Sequence, residues 1–268
     1  MSKRIGELME QAWSSMEELC SQLGAEDWDL PTACPGWTVK DQLAHVASLE
    51  SRALGRPQPS EGPRKAPHVK NELGELNEGD LEARRSMSPG ELLDEYREVT
   101  RERGKVIASW SDEEWSEEGQ GVLGKAPRDQ IIRIRILDVF THEQDIRAAT
   151  GKPGHMNGGV ARLVFEQIAG TLGFVLVKRA QASEGQTVVF EVGPPGETFA
   201  YGVTGGRGTR LEQIPADPTA RMSMDGEAFL RLGTGRLTLE EAEKGGRVRI
   251  TGDRDLAVRV LAGMNFTP

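Results

Sequence analysis

The chain has 268 residues, of which 37% are hydrophobic and 28% are charged. This balance is typical of a globular protein and excludes a disordered chain, and the length suits two domains. Lysine and arginine number 33 against 42 aspartate and glutamate residues, so the formal net charge is 33 − 42 = −9. An acidic surface repels phosphate backbones, so we expect no nucleic-acid partner.

The N-terminal residues read as an amphipathic helix and lack the layout of a signal peptide. No run of the sequence reaches the apolar length that we expect of a membrane span. The chain has two cysteines, Cys20 and Cys34, which suits a reducing compartment and excludes a disulfide framework. These features predict a cytoplasmic protein that does not associate with a membrane.

Helical periodicity dominates the first two-thirds of the sequence. Thr38 with Asp41, and Ser88 with Glu91, have the capping-box form that opens a helix. Residues 55–67 contain four prolines and predict a loop. The predicted helices cover about residues 5–23, 38–54, 88–110, 129–151 and 158–180.

The character of the sequence changes near residue 183, where β-branched and aromatic residues alternate with turn signals. The glycine-rich run at 205–208 could cradle a phosphate, but it lacks a strand–turn–helix context and predicts a β-turn. The predicted strands cover about residues 187–192, 198–204, 219–224 and 247–251, with short helices at 226–232, 239–243 and 255–261. We therefore predict two domains, a helical bundle over 1–182 and an α+β domain over 183–268.

The predicted helix from 129 to 150 is apolar on nearly all sides, yet it carries Asp138 and His142 at positions i and i+4 of one face. Buried polar groups are costly unless they are paired or bind a metal. The pair is either a two-ligand clamp for a divalent ion or a hydrogen-bonded pair without metal. Asp145, one turn on, is either a partner of the histidine N–H, a further ligand, or a surface pair with Arg147.

His45 lies on another predicted helix and supplies a possible third ligand. Helical bundles build metal sites from side chains on facing helices. Together, His45, Asp138 and His142 would leave one position open, which is typical of a catalytic site rather than a structural one. The alternative is that His45 is an ordinary structural histidine.

Two sequence blocks carry a family resemblance. The segment CPGWTVKD at 34–41, followed by Ala44 and His45, resembles the start of the second helix in the mycothiol-dependent maleylpyruvate isomerase family. That family belongs to the DinB-like group of metal-binding four-helix bundles. The segment DVFTHEQDIRAATG at 138–151 is similar to the family's second metal-binding segment, and residues 187–264 resemble a sterol-carrier-protein-2-like domain.

The resemblance implies that His45 and His142 are the first and last metal ligands. Asp138 stands where the family usually has glutamate, so its carboxylate is one methylene shorter. The implied metal is zinc, with nickel, iron and cobalt as alternatives. The resemblance also implies a thiol cofactor, mycothiol, and a small-molecule substrate that is either isomerised about a double bond or receives the thiol.

Two other functions remain open. The protein could be a carrier of an apolar small molecule with a degenerate metal site, or a metal-dependent hydrolase. An anionic substrate would need a cation, and the candidates are Arg52, Arg84 and Arg85, each of which could equally be a surface arginine. We expect structural roles for four other residues. Cys34 should pack as a small residue, and Trp37 should pack ahead of its helix. His68 and His155 should lie solvated in loops.

Overall fold

A computed structural model describes residues 2–194 and 196–266 of the chain. The chain forms two compact units, one ending at Gly154 and the other beginning at His155. The predicted boundary between residues 182 and 183 differs from this division. The difference arises because the helix near residue 160 packs against the sheet of the second unit.

The first unit is built on four helices: α1 (Ser2–Ser21), α2 (Val39–Ala53), α4 (Pro89–Ala108) and α5 (Arg128–Thr150). Helix α1 packs against α4 and α5, and α2 packs against the same two helices. The predicted four-helix bundle is therefore confirmed. A shorter helix, α3 (Glu72–Glu82), packs beside α2 and lies outside the predicted helices.

Helix α2 begins where the sequence predicts. The Thr38 hydroxyl accepts a hydrogen bond from the Asp41 amide, and the Asp41 carboxylate accepts from the Thr38 amide. Ser88 and Glu91 form the same reciprocal cap at the start of α4. Helix α5 ends at Gly151, whose φ of 65° favours glycine. The cap at Thr38 therefore sets the start of the helix that carries His45, and Gly151 caps the end of the helix that carries His142.

Buried polar contacts join the helices of the bundle. The Ser15 hydroxyl on α1 donates to Glu143 Oε1 on α5 at 2.7 Å, and Arg147 Nε donates to the same oxygen at 2.7 Å. The Tyr96 hydroxyl on α4 donates to the Trp13 carbonyl on α1 at 2.9 Å. These contacts give Ser15, Glu143 and Tyr96 hydrogen-bond partners inside the bundle, as burial of a polar group requires. These contacts hold α5 in place within the bundle.

A two-stranded hairpin, β1 (Glu118–Gly121) and β2 (Gly124–Pro127), precedes α5. This glycine-rich region lies between the predicted helices at 88–110 and 129–151, where no strand is predicted. Strands of four residues that are rich in glycine carry almost none of the alternation by which a strand is recognised. The hairpin leads directly into the first turn of α5.

The second unit contains a five-stranded sheet in the order β5-β4-β3-β6-β7. Strands β3 and β6 are parallel, and the other neighbouring pairs are antiparallel. The predicted α+β character of the C-terminal part is confirmed. The strands are β3 (Thr187–Gly193), β4 (Glu197–Thr204), β5 (Arg207–Arg210), β6 (Ala220–Asp225) and β7 (Val248–Gly252).

The glycine-rich run is a turn between β4 and β5, as predicted. Gly205 and Gly206 have φ values of 58° and 71°, which is typical of the tight hairpin turns that glycine permits. Their amides donate to the two carboxylate oxygens of Glu184 at 2.9 and 3.1 Å. An acidic side chain therefore occupies the amides that a phosphate would need.

Helices cover the sheet of the second unit. They are α6 (Gly159–Phe174), α7 (Gly226–Gly233), α8 (Leu239–Lys244) and α9 (Arg254–Ala262). Phe229 on α7 stacks on Phe199 with ring centroids 5.7 Å apart, and it also contacts Phe165 and Phe190 at 5.5 and 6.2 Å. All four rings are fully buried. Aromatic side chains therefore fill the space between α6, α7 and the sheet.

Helix α6 continues through a π-helical turn, so one uninterrupted helix runs over Gly159–Arg179. By length and composition it could span a membrane, with a mean hydropathy of 1.6 over its most apolar window. This finding corrects the expectation that no run is long enough. In the described residues, 56% of that window is buried within the protein, because α6 packs against β4, β5 and α7. Such burial is typical of a core helix.

Candidate metal centre

The bundle brings together the three side chains that the sequence singles out. His45 lies on α2, and Asp138 and His142 lie one turn apart on α5. Potential ligand atoms of the three residues all lie within 4.8 Å of one another. Both histidines are buried, whereas the Asp138 side chain is 28% exposed. The cluster is therefore enclosed by the bundle but open on its carboxylate side.

The distances inside the cluster are those of ligands around a shared ion. Asp138 Oδ2 lies 3.5 Å from His45 Nε2, and Asp138 Oδ1 lies 3.5 Å from His142 Nε2. A direct N–H···O hydrogen bond would be about 2.9–3.0 Å long. Two ligands of a tetrahedral zinc ion, each about 2.0–2.1 Å from it, lie about 3.3 Å apart. Two imidazoles and one carboxylate thus form a donor set that fits zinc or another divalent transition metal.

The charged groups around the cluster keep the Asp138 carboxylate ionised. Burial, and the nearby His142 and Arg135, lower the pKa of His45 against the opposing influence of Asp138. Burial alone would raise the pKa of Asp138, but Arg135 and the two histidines hold it well below its usual range. Burial opposes the charging of His142, yet Asp138 and Asp145 raise its pKa well above its usual range. A carboxylate that stays ionised attracts a cation.

Gln42 orients His142, and the sequence analysis does not single it out. The Nδ1 atom of His142 donates to Gln42 Oε1 in a short hydrogen bond. The Gln42 amide in turn donates to Thr32 Oγ1 at 2.6 Å, which directs its oxygen at the imidazole. Gln42 stands one turn before His45 on α2, so helical spacing was the signal that could have identified it.

Asp145 lies where the sequence analysis expects a supporting residue. It is 5% exposed, and its Oδ2 is 3.6 Å from His142 Nδ1. The Cys34 thiol donates to the same oxygen at 3.4 Å. Arg147 pairs with Glu143 rather than with Asp145. The interpretation of Asp145 as a surface pair with Arg147 is therefore wrong, and Asp145 contacts the face of His142 that points away from Asp138.

Trp37 covers the two imidazoles rather than only packing ahead of α2. Its ring centroid lies 5.1 Å from that of His45 and 5.8 Å from that of His142. Its indole N–H donates to Glu78 Oε2 at 3.3 Å. His68 Nε2 lies 3.1 Å from the same oxygen, so His68 is not simply solvated. Glu78 on α3 thereby connects His68 to the wall of the site.

The arginines considered for substrate binding are all paired with carboxylates. Arg52 donates to Asp80 at 2.6 and 2.7 Å. Arg84 is fully buried against Glu95. Arg85 pairs with three carboxylates, Asp41, Glu78 and Glu82. The arginine that reaches the cluster is Arg135, whose Nη1 lies 2.6 Å from Asp138 Oδ2.

Comparisons with known proteins identify relatives that match most of the chain. Two uncharacterized proteins of Mycobacterium tuberculosis, from strains CDC 1551 and H37Rv, are each 24% identical to the chain over 228 residues, covering 84% of the chain and 82% of the relative. A crystal structure of the mycothiol-dependent maleylpyruvate isomerase matches with a TM-score of 0.59 at 16% identity. A histidine-to-alanine variant of that isomerase matches with a TM-score of 0.60, and both cover 94% of this chain and 93% of theirs.

Two family descriptions together span most of the chain. The mycothiol maleylpyruvate isomerase N-terminal domain matches residues 9–147, which include all three candidate ligands. The corresponding C-terminal domain matches residues 162–259. The chain therefore belongs to the mycothiol maleylpyruvate isomerase family.

Proposed function

We propose that this protein is a metal-dependent and thiol-dependent enzyme, an isomerase or an S-transferase, with mycothiol as the thiol. In this proposal, His45, Asp138 and His142 hold one divalent ion, most simply zinc. The observation that carries the proposal is the 3.5 Å separation of the Asp138 oxygens from both Nε2 atoms in a buried cluster. Family membership supports the thiol.

Each neighbouring side chain has a defined task in this proposal. A bound divalent ion would supply Lewis acidity, which lowers the pKa of a thiol. Gln42 and Asp145 hold the His142 ring so that Nε2 faces Asp138. Trp37 covers both imidazoles and limits the access of water. The exposed edge of Asp138 leaves one side of the cluster open to a small molecule.

The metal itself is tested by elemental analysis of the purified protein. Wild type should contain about one equivalent of metal, and His45→Ala, His142→Ala and Asp138→Asn should each lose it. His155→Asn is the matched control. His155 is outside the clusters found in the described residues, and asparagine tolerates its positive φ of 59°. Wild-type protein that stays metal-free after reconstitution would contradict the metal-dependent proposal.

The reaction is tested with maleylpyruvate, the substrate for which the structural neighbours are named. Metal-loaded protein should isomerise it only when mycothiol is added. Consumption of an electrophile together with the thiol would instead assign S-transfer. Cleavage of a substrate by water without any thiol would assign a hydrolase, and either this result or isomerisation without thiol would contradict the thiol-dependent proposal.

The carrier alternative has no observation in its favour. In the described residues of the second unit, the buried rings of Phe165, Phe190, Phe199 and Phe229 fill the space between α6, α7 and the sheet. A carrier would also bind its ligand equally well with and without a chelator. A cytoplasmic location, without nucleic-acid or membrane partners, remains part of our proposal and rests on the net charge of −9 and on two cysteines that form no disulfide with each other.

A further inference from the structure

Arg135 connects the candidate metal centre to a buried carboxylate on another helix. On α5 it stands three residues before Asp138, and its Nη1 donates to Asp138 Oδ2 at 2.6 Å. Its Nε and Nη2 donate to Glu50 Oε1 on α2 at 3.0 and 2.8 Å. Arg135 is 5% exposed and Glu50 is 1% exposed. A chain of three charged groups thus ends on the carboxylate of the metal cluster.

Glu50 anchors the guanidinium. A buried charge is stable only when it is paired and hydrogen-bonded, and two hydrogen bonds to one oxygen of Glu50 meet that need for Arg135. Arg103 on α4 lies 3.5 Å from the other oxygen of Glu50. Because the guanidinium is a planar, rigid fork, two donors held by Glu50 also determine where the third nitrogen points. That nitrogen points at Asp138.

The hydrogen bond from Arg135 restricts the rotation of the Asp138 carboxylate. An aspartate carboxylate can rotate, and its two oxygens are chemically equivalent. With Arg135 at Oδ2, the other oxygen, Oδ1, is held 3.5 Å from His142 Nε2. We propose that Arg135, anchored by Glu50, is a positioning residue that holds the Asp138 carboxylate in the orientation in which it acts as a metal ligand. The inference rests on the metal centre proposed above.

The test measures metal affinity in the full-length protein. Metal-free protein is titrated with Zn²⁺ against a chromophoric chelator, and with Co²⁺ while the visible absorption is recorded. Arg135→Met should weaken Zn²⁺ binding by about 10–100-fold, the usual effect of losing a group that orients a ligand. Arg135→Lys should restore only part of the loss, because one ammonium group cannot reproduce the fork. Arg133→Gln is the matched control on α5, since Arg133 pairs only loosely with Asp129 at 3.8 Å.

A double variant separates positioning from folding. Arg135→Met leaves Glu50 buried without its main partner, so the single variant could lose stability. Glu50→Gln combined with Arg135→Met removes both charges and keeps an amide oxygen near Arg103, so this double variant should fold. Its Zn²⁺ affinity should match that of Arg135→Met alone, because Glu50 acts on Asp138 through Arg135. Circular dichroism of each metal-free variant verifies folding, and a changed Co²⁺ spectrum in a folded variant reports altered coordination, which a purely structural ion pair would not produce.

The outcomes distinguish two failures. If wild type binds Zn²⁺ and folded Arg135→Met binds it equally well or more tightly, the positioning role is wrong and the metal centre stands. If wild type itself binds no metal, both the metal centre and the positioning role are wrong.

Discussion

The Nδ1 atom of His142 donates its hydrogen bond to Gln42, a side chain from the facing helix α2. Gln42 is fully buried, and its amide is held by Thr32 Oγ1 at 2.6 Å. The oxygen of the amide therefore faces the imidazole, and the Nε2 atom of His142 faces Asp138. Gln42 on α2 thus determines that His142 on α5 directs its Nε2 atom, and not Nδ1, toward Asp138.

Loss of this acceptor should weaken metal binding. Gln42→Leu has a similar size but cannot accept a hydrogen bond, so we expect Zn²⁺ affinity to fall about 10–100-fold in a chelator competition. Gln42→Glu keeps an acceptor and should retain most of the affinity. Gln144→Leu on α5 is the control, since Gln144 donates to the Gly154 carbonyl at 3.2 Å. Unchanged affinity in Gln42→Leu would contradict the role of Gln42.

Trp37 should report on metal binding through its fluorescence. Its ring lies 5.1 and 5.8 Å from the two imidazoles, and an open-shell ion such as Co²⁺ quenches a nearby indole. Titration with Co²⁺ should therefore quench part of the emission of wild type, and Zn²⁺ should quench less. Trp37→Phe should remove the Co²⁺-specific component. Trp115 packs against Trp110 with ring centroids 5.1 Å apart, and Trp115→Phe should retain the Co²⁺-specific quenching. Equal quenching in wild type, Trp37→Phe and Trp115→Phe would refute the prediction.

The aromatic cluster of the second unit should dominate its stability. Phe229→Ala leaves a cavity among three buried rings, so we expect the free energy of unfolding to fall by about 3–5 kcal/mol. Phe174→Ala is the matched control: Phe174 is 58% exposed and contacts Arg179, and its loss should cost at most about 1 kcal/mol. Circular dichroism must follow the transition, because all five tryptophans lie in the first unit. Equal effects of the two substitutions would contradict the prediction.

The contact between Asp225 and Arg247 should make stability depend on acid pH. Burial would raise the pKa of Asp225, but hydrogen bonds from Arg247 and the Ala228 amide outweigh it and lower the pKa. A pKa lowered in the folded state stabilises the protein above the ordinary aspartate pKa of about 3.9, and this stabilisation disappears as the pH falls through the folded value.

Arg247→Met should therefore lower the free energy of unfolding by about 1 kcal/mol or less at pH 7, since the Arg247 and Asp225 side chains are both partly exposed. The difference from wild type should shrink as the pH falls below about 4. Thermal unfolding between pH 7 and pH 3 measures it. Arg254→Met is the control because Arg254 is 61% exposed beside Glu243. A difference that grows on acidification would show that the sign is wrong.

Local features of the chain could be predicted from the sequence because they depend on neighbours. Thr38 and Ser88 cap their helices with residues three positions away, and Gly205 and Gly206 adopt the turn that their conformational freedom permits. The i, i+4 spacing placed Asp138 and His142 on one face of α5. The position of His45 on another predicted helix made it a possible third ligand, and the resemblance of two short blocks implied the same role.

Other features depend on contacts between distant parts of the chain. The sequence of helix α6 does not show whether the helix packs in the bundle or against the sheet. Its contacts with β4 and β5 place it in the second unit. The short β1–β2 hairpin has no periodic signal to detect. Arg84 could be a surface side chain by composition, and only packing shows that it is buried against Glu95.

The sequence by itself determined most of the helices and strands, the family and the three candidate ligands, because caps, periodicity and short motifs act over a few residues. Only the tertiary structure decided what surrounds those ligands. The contacts that packing decides are those of Gln42 with His142, of Trp37 with both imidazoles, and of Arg135 with Glu50 and Asp138. Their distances depend on how the helices pack, and no spacing along the chain encodes that.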